Sequence, residues 1–162
     1  MRNLPSNEQV LSATFNGQLA VGAGMIALCV VIHGIGLFTL AQTMRGRRAQ
    51  KAFSRLEPLS FTGALFTLLT VFALIFIHFV EIWSFAFLYD FLGALPNFQE
   101  ALYFSTISYS TIGYSDAAIA HEWRMVAALE GILGVILLGW STAFFVRVLA
   151  RLESDDGRPR LH

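Results

Sequence analysis

Residues 106–116 read Thr106-Ile107-Ser108-Tyr109-Ser110-Thr111-Ile112-Gly113-Tyr114-Ser115-Asp116. From Thr111 to Glu122 the chain has neither the 3.6-residue period of a helix nor the alternation of a strand. Just before it, residues 97–110 (NFQEALYFSTISYS) are moderately apolar and about four helical turns long. That is too short and too polar to cross a bilayer, so between two spans it reads as re-entrant or interfacial.

Two spans do flank it. Residues 61–80 (FTGALFTLLTVFALIFIHFV) carry no formal charge, and the apolar run continues past Glu81 to about Tyr89. Tilt or protrusion absorbs the excess length, and Trp83 and Tyr89 suit its water-facing end. Residues 90–96 make a turn containing Pro96, and residues 123–149 form a second span after the loop. Further out, residues 19–41 (LAVGAGMIALCVVIHGIGLFTLA) are uncharged and reach about 34 Å as a helix, enough for a hydrocarbon core of about 30 Å. Gly22, Gly24, Gly34 and Gly36 would weaken a helix in water, but in lipid small residues let helices approach closely. The preceding run, residues 1–18, is polar and reads as a short tail or a surface helix.

Composition supports a membrane protein. Hydrophobic residues make up 56 %, charged residues 14 %, and phenylalanine occurs 15 times. A soluble domain of this size needs more polar surface. The apolar first run is too long for the core of a cleavable leader. The single cysteine, Cys29, allows no intrachain disulfide and reads as a small lipid- or core-facing residue.

Charge sets the expected orientation. Arg45, Arg47, Arg48, Lys51 and Arg55 lie in the connector between the first two spans, and Arg147, Arg151, Arg158 and Arg160 lie at the end of the third. Only Arg2 and Arg124 lie on the other side. Three spans and one re-entrant loop put the connector and the C-terminus on the same side, which the Arg/Lys bias makes cytoplasmic. The N-terminus and the re-entrant loop then face outward with Glu8, Asp90, Glu100, Asp116 and Glu122. An acidic outer mouth concentrates cations, although each acid alone also reads as a solvated loop charge. The net charge of zero points to no nucleic-acid partner.

Backbone without regular structure at membrane depth must line a cavity or be buried in protein. A short helix ending there offers a cation its partially negative C-terminus. The carbonyls that follow can replace an ion's hydration shell. Pointing successive carbonyls one way needs alternating right- and left-handed backbone, and Gly113 adopts the left-handed state cheaply.

On these residues the sequence resembles the potassium channel pore family, in which a pore helix and a Thr-Val-Gly-Tyr-Gly-Asp filter lie between two membrane helices. Thr111-Ile112-Gly113-Tyr114-Ser115-Asp116 stand in the same order, and the stretches ALYFST and ALEGILGVILLGWSTAFF look like small bacterial channels of this type. The likeness covers residues 61–150, and the first span is extra to the two-helix pore. The resemblance implies an all-α membrane protein with three transmembrane helices, a re-entrant pore helix and a filter loop, assembled as a homotetramer. Its parts would be an outer tail (1–18), an extra helix (19–42), a basic connector (43–60), an outer helix (61–89), a pore helix (97–110), a filter (111–116), an inner helix (123–149) and a cytoplasmic tail (151–162). It further implies that the carbonyls of Thr111, Ile112, Gly113 and Tyr114, with the Thr111 hydroxyl, bind dehydrated K⁺. The Tyr114 ring would pack behind the filter, and Asp116 would sit at the outer mouth. The partners implied are lipid and K⁺ as the permeant ion, with no cofactor, and the location is the cell membrane, by likeness a bacterial inner membrane.

Ser115 departs from the family's second filter glycine. A left-handed serine costs roughly 1–2 kcal/mol per chain, so either the outermost site is reshaped or neighbouring contacts hold the strained form. The alternatives are a nonselective cation channel of the same fold and a nonconducting membrane subunit or anchor. Gly134 lies where the family often bends to gate; alternatively the helix packs closely there, with Ala127 and Gly131 as a small-xxx-small pair. Glu130, charged within a span, is expected to face the pore helix or the rear of the filter. His78 and Glu81 share a helix face, as an interhelical hydrogen bond or a proton-sensitive switch. His33 lies mid-span and is expected to bond a neighbouring helix. No His/Cys/acid cluster has metal-ligand spacing, no phosphate loop occurs, and the first span has no arginine ladder, so neither an enzyme nor a voltage sensor is indicated.

Overall fold

A computed structural model describes residues 7–45, 61–113 and 118–156, with side chains for 15–44, 61–113 and 118–150. The described residues are mostly helical and contain no strand. Helix α1 runs Asn7–Arg45, α2 Phe61–Phe91, α3 Phe98–Tyr109 and α4 Arg124–Asp156, with a 3₁₀ turn at His121–Trp123 ahead of α4. Among the described residues, three stretches are long and apolar enough to cross a membrane: Phe15–Met44, Phe61–Phe91 and His121–Ala150. At about 1.5 Å per residue each exceeds a hydrocarbon core of about 30 Å. α1 continues through polar sequence to Asn7 without a break, because Glu8, Gln9 and Gln18 are adequate helix formers and hydropathy marks only where lipid begins. Most of the basic connector lies outside the described residues.

Polarity is inverted relative to a water-soluble protein. Phe38, Phe72, Phe76, Ile132 and Val146 are exposed, while His33, Thr70, Glu81, Ser105, Glu130 and Ser141 are buried. That is how a chain in lipid distributes its groups, since polar side chains in hydrocarbon must find protein partners. The chain is a multi-pass membrane protein.

The described residues form two compact units, and each long helix contributes one stretch to each. The first takes in residues 7–31, 80–113 and 118–136. α2 stops here by a Schellman motif: Gly93 has φ 61°, its N–H donates to the Asp90 carbonyl at 3.1 Å, and the Ala94 N–H donates to the Tyr89 carbonyl at 2.9 Å. After Pro96, the Asn97 side chain accepts the Glu100 N–H at 3.0 Å and starts α3. Glu100 in the first turn complements the positive end of that helix. Phe98 packs against Phe87 and Trp83 of α2, with ring centroids 4.9 and 5.8 Å away. The returning loop is tied to the first turn region by the Ala120 N–H, which donates to the Ala94 carbonyl at 3.0 Å. α1 joins the start of α4: the Gln18 side-chain oxygen accepts the Met125 N–H at 3.1 Å, one of the N–H groups a helix start leaves unpaired.

The second unit takes in residues 32–45, 61–79 and 137–156. Leu37, Leu74 and Ile77 form one buried cluster with Leu40, Phe144 and Phe145 around it, and Met44 and Val148 form another. Ser141 of α4 joins two histidines: its hydroxyl oxygen is 3.0 Å from His78 Nε2 and 3.3 Å from His33 Nε2. The Trp140 ring lies 5.3 Å from that of His33.

Candidate functional site

The site is built at the C-terminal end of α3. Twelve residues of helix reach about 18 Å, roughly half a bilayer core. Ala101, Phe104, Ser105, Ile107 and Tyr109 are its buried residues, while Tyr103 and Thr106 are exposed. The Tyr89 ring meets that of Phe104 edge to face, 5.6 Å between centroids at 85°.

After Tyr109 the chain does not continue as helix. Ser110 caps it, its N–H donating to the Thr106 carbonyl at 3.1 Å. Thr111 then takes a φ of 61° and donates its N–H to the Ser108 carbonyl at 3.1 Å. A β-branched residue in the left-handed region is rare and costs about 1–3 kcal/mol, and such strain concentrates at functional sites. Gly113 is also left-handed, with φ 77°, and its N–H donates back to the Ile107 carbonyl at 3.4 Å. Ile112, between them, is not in the left-handed region. The backbone therefore alternates in hand over Thr111, Ile112 and Gly113, the three residues after the cap. Thr111, Ile112 and Gly113 are all exposed in the single chain, Ile112 at 75 %.

Beside them lies an open groove of about 550 Å³, bounded by Phe104 and Ser108 of α3, Thr111, Gly113, and Gly131 and Val135 of α4. Tyr114, Ser115 and Asp116 lie outside the described residues.

α4 passes close behind the end of α3 because it lacks side chains there. A Cβ on Gly134 would overlap the Tyr109 carbonyl oxygen, and one on Gly131 would stand 3.4 Å from the Ser108 carbonyl oxygen. α4 is one continuous helix through Gly134. The sequence offers bending or close packing at Gly134, and the neighbour it meets here is the Tyr109 carbonyl. Glu130, one turn earlier, is fully buried against α3: its carboxyl accepts the Ser105 hydroxyl at 2.5 Å and the Tyr89 hydroxyl at 2.7 Å. Glu81 is likewise buried and accepts the Tyr109 hydroxyl at 2.5 Å.

Tyr89, Ser105, Tyr109 and Ser141 were not legible as partners, because hydroxyls are ordinary in membrane helices. The buried acids were the available signal, since a carboxyl inside a span calls for donors nearby.

The model of the ion channel family matches residues 64–151, which takes in most of α2, all of α3, the loop and most of α4. No curated protein and no solved structure matches the chain.

Proposed function

Because this chain belongs to the ion channel family, we propose that it conducts K⁺ passively through a filter to which four identical chains each contribute one wall. The observation that carries this reading is the alternating backbone at Thr111 and Gly113, set directly after the short helix. Alternation turns successive carbonyls to one side, where they replace the water that a permeating ion gives up. Thr111, Ile112, Gly113 and Tyr114 supply these carbonyls, the Thr111 hydroxyl adds an oxygen at the inner end, and Asp116 stands at the outer mouth.

The strain at Thr111 fits a residue held in place for function rather than for local stability. The negative end of α3 points into the same region and favours a cation there. The exposure of Thr111, Ile112 and Gly113, and the groove beside them, argue for further copies. One chain provides only a quarter of a ring, and lipid cannot satisfy open backbone. The positive-inside bias supports an orientation with the basic connector and the C-terminus in the cytoplasm and the loop after α3 outside. α4 lines the inner cavity.

A second reading, a nonselective cation channel, is favoured by Ser115, which stands where a left-handed glycine would complete the outermost site. Purified protein in liposomes separates the readings. K⁺ efflux that Na⁺ does not match supports the first, equal passage of both ions supports the second, and no cation flux contradicts both.

A further inference from the structure

The filter as proposed uses main-chain oxygens and one threonine hydroxyl. It leaves unexplained two carboxyl groups, Glu81 on α2 and Glu130 on α4, both with no exposed surface. Carboxyls at membrane depth are costly and are kept for a partner or a task.

Their partners converge on one element. Glu130 Oε1 takes the Ser105 hydroxyl, whose single hydrogen is shared with the Ile82 carbonyl of α2 at 2.9 Å. Glu130 Oε2 takes the Tyr89 hydroxyl of α2. Glu81 Oε2 takes the Tyr109 hydroxyl. Ser105 and Tyr109 are four residues apart on α3, so they lie one above the other on the same face. Tyr109 is also the last residue of α3, and its carbonyl rests against Gly134 of α4. From there only Ser110 separates it from the strained Thr111, and the N–H groups of Thr111 and Gly113 bond back to Ser108 and Ile107 of the same helix end. A shift of α3 is thus passed directly to the residues of the filter. The neighbour of Glu130, Leu129, packs on Gly22 of α1, where Gly22, Met25 and Cys29 are buried. The first span therefore covers this part of α4.

We propose that Glu81 and Glu130 are positioning residues for the filter: acting through Tyr109 and Ser105, they fix the height and rotation of α3 and thereby the spacing of the carbonyls from Thr111 onward. This rests on the reading of residues 111–114 as a K⁺ filter. Neither carboxyl touches the ion. Their hydrogen bonds, made where no water competes, hold the helix against the repulsion among converging carbonyls when an ion leaves.

The test uses the full-length protein in planar bilayers, with the K⁺/Na⁺ permeability ratio read from bi-ionic reversal potentials and assembly read on native gels. Tyr109→Phe removes one oxygen and keeps the ring, so it should assemble normally yet lower the ratio by about tenfold, as when the worth of one hydrogen bond is lost from the preference for K⁺. Glu81→Leu and Glu130→Leu should do the same or more. Glu81→Gln, which keeps an acceptor for Tyr109, should hold the ratio within about twofold. Thr39→Val, at an exposed hydroxyl that bonds only its own helix at the Ile35 carbonyl, serves as the control. Wild-type selectivity in conducting Tyr109→Phe and Glu130→Leu assemblies would overturn the proposal. So would failure of Tyr109→Phe to assemble, which would make these bonds structural alone. A wild-type protein with no preference for K⁺ would sink the filter reading itself, and this inference with it, before any variant is made.

Discussion

Replacing Gly134 by alanine tests whether the close approach of α4 to the end of α3 is required. The added Cβ would overlap the Tyr109 carbonyl oxygen and stand 2.9 Å from its carbonyl carbon and 3.2 Å from its Cα. Ordinary carbon–carbon contacts begin at about 3.5 Å, so one backbone must retreat by roughly 0.6 Å or more. The neighbouring atoms are main chain, not the free end of a side chain, so relief by rotation is unavailable. Overpacking of this kind costs about 1–3 kcal/mol. Alanine returns about 0.5–1 kcal/mol in a helix interior, leaving a net loss of about 1–2 kcal/mol per chain. In the proposed tetramer that sums to about 4–8 kcal/mol. The displacement falls two residues before Thr111, so conduction should fall along with stability. Stability is read from unfolding in mixed detergent, and conduction from liposome flux. Gly24→Ala is the reference, because a Cβ there meets nothing within 4 Å and should be neutral or slightly stabilising. If Gly134→Ala matched Gly24→Ala in stability and conducted like the wild type, the packing argument would be wrong.

Other perturbations separate backbone strain from ion binding. Ser115→Gly should raise the K⁺/Na⁺ permeability ratio and stabilise the assembly by up to about 1–2 kcal/mol per chain if the backbone there is left-handed; identical selectivity and conductance in both proteins would count against it. Thr111→Gly should relieve the strain of φ 61° while deleting a hydroxyl, so the assembly should gain up to about 1 kcal/mol per chain and lose selectivity. Selectivity unchanged in that variant would remove Thr111 from the filter. Ser141→Ala deletes the hydroxyl shared by His33 and His78 and should cost about 1–2 kcal/mol in a detergent unfolding titration without altering selectivity; a shift in the reversal potential would show that this cluster communicates with the filter.

Much of the architecture could be read from charge and hydropathy, because lipid imposes long uncharged runs that few soluble chains contain. The short helix before Thr111 was legible for the same reason: a segment too short and polar to span, placed between spans, has few other places to go. Gly113 was identifiable as left-handed because glycine alone adopts that state without cost. Thr111 was not, since a β-branched residue disfavours it; its N–H bonds back to the Ser108 carbonyl at the end of α3. The extent of α1 was hidden because polar helix and polar tail have the same hydropathy. Glu130 announced itself as a charge within a span, but its donors Ser105 and Tyr89 lie 25 and 41 residues away, and nothing local in the sequence links them. Gly134 reads as a place for bending or for packing, and the Tyr109 carbonyl that rests against it, 25 residues away, could not be foreseen from the sequence around it.

The most direct test is to locate the permeant ion. Crystals of the assembled protein grown with Rb⁺, a heavy stand-in for K⁺, should show anomalous density in a row on an axis shared by four chains, ringed by the carbonyl oxygens of Thr111, Ile112, Gly113 and Tyr114. Density elsewhere, or those residues turned toward lipid with no axis between them, would contradict the account.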